Sequence, residues 1–112
     1  MPQNIDFNAV AKDLEKGLAE LALTSIKEYA NDAKTDGQKM LDSLKTDLQT
    51  WTLQLANGDI TPKNLEWLIK SKSDLIEMAS LKHAGLAAIR IDQFKNSSIN
   101  LIVSTLVGLI KV

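Results

Sequence analysis

The chain has 112 residues, 45% hydrophobic, 24% charged and 4% aromatic, which fits one folded domain over 1–112 and excludes the apolar-poor composition of a disordered chain. Thirteen basic residues against fourteen acidic ones leave a net charge of −1, so no cationic excess is present to neutralise a row of phosphates, and no nucleic acid partner is expected. With no cysteine and a single histidine, disulfide scaffolds, thiolate metal centres and thiol nucleophiles are excluded, and neither a metal nor a cofactor is expected.

From Met1 to Val10 there is neither a basic start nor an apolar run, so no secretory signal is expected and the cytoplasm is the default location. Apolar positions then recur every eleven residues, at Phe7, Leu18, Tyr29, Met40 and Trp51. A second series, Ala11, Ala22, Ala33, Leu44 and Leu55, follows four positions behind, and Ile26, Gly37 and Leu48 fill a third place. Eleven residues over three turns is about 3.67 per turn, so the stripe barely drifts around a straight helix axis. The pattern predicts one long helix from about Phe7 to Asn57. Its weakest stretch is Asn31 to Gly37, where Asn, Asp, Thr and Gly are mediocre helix formers, but the stripe keeps its register through that segment.

The one firm turn is Asn57-Gly58-Asp59-Ile60-Thr61-Pro62. Gly58 suits the left-handed position just past a helix end, Thr61 can cap the next helix, and Pro62 at its first position gives up no hydrogen bond the helix needs. Ile60 before the cap is placed to pack on Leu65 as a hydrophobic staple.

Beyond the turn, Leu65, Leu68, Leu75, Met78 and Leu81 form an amphipathic pattern that runs into Ala84-Gly85-Leu86-Ala87-Ala88, read as a place of close helix approach. Lys95 to Ser98 is a second candidate break. From Ile99 to Val112 the polar positions Asn100, Ser104, Gly108 and Lys111 share one line, and nearly everything else is aliphatic. The expected fold is all-α: a long antiparallel helical hairpin with arms of about 7–57 and 61–112, or a four-helix bundle if the arms break near 31–37 and 95–98. The arms are nearly equal, at 51 and 52 residues, and residues 1–57 carry six lysines and nine acids for a net −3 while 58–112 carry seven bases and five acids for a net +2. Unlike charge favours the arms meeting each other. An unbroken hairpin would be on the order of 75 Å long. Its core nearest the turn would be Leu44, Leu48, Leu55, Leu68 and Leu75.

Chemistry is sparse. His83 has Ala79, Ser80, Leu86 and Ala87 one turn away and no carboxylate among them, so it reads as structural. Ser97 and Ser98 have no histidine within a turn and read as caps. Pairs such as Asp13 with Glu20, or Asp32 with Asp36, have the composition of a carboxylate site, yet lysines three positions on, at Lys16 and Lys39, mark an ordinary solvated helix face. No glycine-rich phosphate loop occurs. The expectation is not an enzyme but a non-enzymatic structural or protein-interaction module, a self-associating coiled-coil hairpin. The C-terminal arm has more aliphatic surface than one facing helix covers, so Ile99, Ile102, Val103, Leu106 and Ile110 are the expected interface of a homo-oligomer, a dimer first, or of a contact with another helical protein. Trp51 belongs to the eleven-residue stripe, whereas Trp67 lies off its helix's apolar line and is the candidate surface contact. The alternative is a lipid-surface or membrane-active amphipathic protein; residues 99–112 are too short to span a bilayer, and their polar face offers Lys111 as its one cation, which favours burial against protein.

Overall fold

The computed structural model describes residues 6–110; residues 1–5 and 111–112, among them Lys111 of the expected polar line, lie outside the described residues. Asp6 opens the first helix by accepting the Asn8 N–H at 3.1 Å, and α1 runs Phe7–Ser25. A single 3-10 turn, Lys27–Tyr29, leads to α2, Ala30–Ala56. Three further helices follow: α3 Pro62–Ser73, α4 Ala79–His83 and α5 Ala88–Ile110. The protein is all-α, with no strand among the described residues.

The first arm is not one helix. It breaks at Ile26 (φ −137°, ψ 64°), not between Asn31 and Gly37, which lie inside α2. No glycine or proline marks the break. Thr24, Ser25 and Ile26 are weak helix formers, and the Thr24 hydroxyl donates back to the Glu20 and Leu21 carbonyls at 3.1 and 3.3 Å, competing with the ladder. The chain then doubles back: Glu15 accepts from Gln38 Nε2 at 3.4 Å and Gly37 faces Leu18, so α1 lies antiparallel on the first half of α2. All three eleven-residue series are buried or half-buried, as the stripe requires. A stripe facing a partner helix is buried equally whether its helix is straight or folded onto its own continuation, and here the turn happens to preserve the phase.

The turn at 57–61 forms as read. Gly58 has φ +81°, Asp59 N–H donates to the Gln54 carbonyl at 2.8 Å, and Thr61 and Asn64 exchange side-chain bonds to each other's backbone N–H at 3.1 and 3.0 Å. This capping box starts α3 antiparallel to α2, tied by Lys72 to Asp47 at 3.2 Å.

The second arm is broken as well, over 74–87 rather than at Lys95 to Ser98. Those four residues lie within α5, where the Ser98 hydroxyl is buried and donates to the Phe94 carbonyl at 2.9 Å instead of capping. The alanine-rich stretch is a reversal, not a close approach: Gly85 has φ +92°, Leu86 N–H donates to the Leu81 carbonyl at 3.2 Å, and Ala84, Ala87 and Ala88 are exposed. α5 then returns between α1 and α3, with Leu101 against Gly17 and Arg90 3.9 Å from Glu28. Two ion pairs, Lys72–Asp47 and Arg90–Glu28, join the acidic half to the basic half, so the charge split is used within one chain. The described molecule measures 48 × 23 × 20 Å, far short of the expected rod.

The core runs along all these elements. Leu44, Leu48 and Leu55 are buried as expected, but Leu68 is half-buried and Leu75 is 83% exposed; Leu65 and Ile69 occupy the buried line of α3 instead. Leu75 lies past the end of α3, in the bend that follows Asp74, where the helical phase that placed it inside no longer applies.

Candidate interaction surface

α4 has five residues and no side-chain cap of its own, because Met78 at its N-cap position is apolar. The cap comes from α2. Asp36 is 1% exposed, and its two carboxylate oxygens accept the N–H of Ser80 at 3.0 Å and of Leu81 at 2.7 Å. These are the second and third N–H groups of α4, the donors that a local cap residue would satisfy. One turn earlier on α2, Asp32 accepts the Ser80 hydroxyl at 2.7 Å. The paired carboxylates that read as a solvated face are thus a clamp. The sequence signal for it was the position of Asp36, three residues after Ala33 and four before Met40, inside the buried stripe.

The clamp is structural chemistry. The Ser80 proton points at a carboxylate held in place by the fold, and the imidazole of His83, three residues on, is exposed. Among the described residues no group of three or more His, Asp or Glu is arranged to hold a metal.

What the clamp fixes is a surface. Met78, Leu81 and Leu86 are buried, which ties the 74–87 segment down, while Leu75 projects outward. Between this segment and the start of α5 lies a groove of about 420 Å³ whose apolar lining is Leu75, Ile76, Met78, Leu86, Ala88 and Ile91. Asp74, Glu77 and Lys82 edge it from one side, Asp92 and Lys95 from α5. Lys82 is 3.0 Å from Glu77 and, through that hydrogen bond and its charge, holds the Glu77 carboxyl below the usual carboxylate range.

The residues expected to join copies sit elsewhere. Ile99, Ile102 and Leu106 are buried inside the single chain, and Val103 and Ile110 are half-buried against its core. The second arm does carry more aliphatic surface than one helix covers, but α1, α2 and α3 all pack on α5 and cover it from within. Trp67 is 67% exposed, as expected for a residue off the apolar line, and Trp51 is half-buried. Ile89, at the start of α5, is 69% exposed and had no distinguishing signal in the sequence. No protein-family model, curated protein or solved structure matches this chain.

Proposed function

We propose that the chain is a non-enzymatic structural or protein-interaction module that works by self-association. The observation that carries this reading is the exposure of Leu75 beside an open apolar groove on a segment that the Asp36 and Asp32 clamp holds in place. A large aliphatic side chain left in water next to an unfilled recess is the pattern of an interface, and holding the recess in place ahead of binding lowers the ordering cost. Light scattering at micromolar concentration tests it. A mass of twice 12.3 kDa or more supports the reading, and a mass of 12.3 kDa at every concentration overturns it.

A second reading, contact with a lipid surface, is favoured by one observation. Trp67 is exposed and has Lys63 and Lys70 one turn to either side on α3, an aromatic flanked by cations. No helix among the described residues is long and apolar enough to cross a membrane. Co-sedimentation of the monomeric chain with anionic vesicles, lost on Trp67→Ala, would carry this second reading.

A further inference from the structure

We propose that the hollow between the end of α1 and the first half of α5 is a binding site for a phosphoryl group, with Arg90 as its anchor. The site is independent of self-association and shares no residue with the groove that Leu75 lines. It has a volume of about 380 Å³, within the range of small-ligand sites, and is lined by Ser25, Ile26, Arg90, Gln93, Phe94 and Ser97. Arg90, Gln93, Phe94 and Ser97 share one face of α5 at spacings of three and four residues, and Ser25 and Ile26 bring the end of α1 to it.

Three features point to an anion. Arg90 is the chain's single arginine, and no carboxylate lines the hollow with it. The three other hollows each hold one or more: Glu15 between α1 and α2, Asp74, Glu77 and Asp92 beside Leu75, and Glu66 between α3 and α5. The guanidinium is also little used within the chain, since its contact with Glu28 is as long as 3.9 Å and the two side chains are 45% and 76% exposed, which makes a weak pair that a ligand can displace. Finally, Ser25, Gln93 and Ser97 make no side-chain hydrogen bond among the described residues, although Ser98, the next residue along α5, does. One fixed cation and three neutral donors therefore border one recess, whose apolar lining is the buried Ile26 and Phe94. A planar carboxylate is satisfied by the guanidinium fork alone. A phosphoryl group directs its oxygens to several sides and uses the two hydroxyls and the amide as well. Apolar neighbours strengthen such bonds by lowering the local dielectric.

The test is an NMR titration of the full chain with inorganic phosphate at constant ionic strength, read at the Gln93 and Ser97 amides. Saturable shifts are expected, with a dissociation constant of about a millimolar, and acetate is expected to bind more weakly. Arg90 is exposed, so Arg90→Gln is expected to keep the wild-type circular dichroism while weakening phosphate binding roughly tenfold or more through the lost charge-assisted pair. Should Arg90→Gln lose helicity, Ser97→Ala decides instead, with binding about twofold to tenfold weaker. Glu28→Gln removes the competing carboxylate and is expected to tighten binding roughly twofold or more, a change in affinity that a merely structural Arg90 would not produce. Phenyl phosphate separates the sources of the group: binding tighter than that of inorganic phosphate assigns the recess to a monoester whose body lies on Ile26 and Phe94, and equal or weaker binding assigns it to free phosphate. A wild type with no saturable shift overturns the proposal, as does phosphate binding that folded Arg90→Gln retains in full. Acetate binding as tight as that of phosphate overturns the assignment to a phosphoryl group.

Discussion

Asp36 on α2 receives the backbone N–H of Leu81 at 2.7 Å across 45 residues of sequence, and so supplies the cap that α4 cannot make for itself. The helix is too short to persist alone, since nucleating one turn costs more than so few hydrogen bonds return. Its place in the fold therefore depends on the buried Met78, Leu81 and Leu86 and on the Asp36 and Asp32 carboxylates at its start.

Asp36→Ala removes both acceptors at once and leaves the Ser80 and Leu81 N–H groups unmatched, so a loss of about 2–3 kcal/mol is expected. Asp36→Asn keeps one oxygen and is expected to lose roughly half as much. Denaturant unfolding measures both, and hydrogen exchange at the Leu81 amide locates the effect: protection there should fall while amides in the middle of α2 change only with global stability. A change in stability below about half a kcal/mol for Asp36→Ala would show that the carboxylate does not hold α4.

Leu48 and Leu75 make a second comparison. The eleven-residue stripe of the first arm and the amphipathic pattern of the second assign both the same expected role, yet Leu48 is fully buried and Leu75 faces solvent. Leu48→Ala is expected to cost about 2–5 kcal/mol through lost burial and the cavity left behind. Leu75→Ala, measured in the monomer under dilute conditions, is expected to stay within about 0.5 kcal/mol of wild type. Equal losses for the two would mean that Leu75 is packed within its own chain.

These two leucines also show what was legible in the sequence. Periodicity finds the buried face of a helix well, and it placed Leu44, Leu48 and Leu55 correctly. It does not find where a helix ends when no glycine or proline marks the place. The breaks at Ile26 and after Ser73 are of that kind, whereas the turn at Gly58 to Pro62 carries every stop and start residue and was legible in full. Gly85 was a stop signal too, but its alanine neighbours read as helix. The clamp was illegible for another reason. Asp36 and Lys39 three positions on look like a surface pair, and only the arrival of α4 from far along the chain turns the carboxylate into a buried cap. Non-local partners of this sort leave no local pattern. The only trace is an acid on an apolar stripe.

The Glu77 carboxyl makes a prediction about pH. The hydrogen bond and charge of Lys82, 3.0 Å away, hold it below the ordinary glutamate range, with a smaller contribution from His83. A carboxyl whose folded value is depressed contributes stability that is present above the unfolded value, about 4.3, and disappears as pH falls through the folded one. At neutral pH the contribution is therefore fully present. It is also small and salt-sensitive, because both side chains are about two-thirds exposed and water screens the pair. Titration of the Glu77 side chain by NMR is expected to give a midpoint below the ordinary glutamate range. In Lys82→Ala the midpoint is expected to rise into the usual range, and raising the salt concentration in the wild type should move it part of the way. The groove edge depends on the same pair, since Lys82 freed from Glu77 would be a free charge in the groove lining beside Asp74 and Asp92. A Glu77 midpoint that is ordinary in the wild type and unmoved by Lys82→Ala would show that the two side chains do not meet in solution, and that Lys82 is a free charge at the edge of the groove.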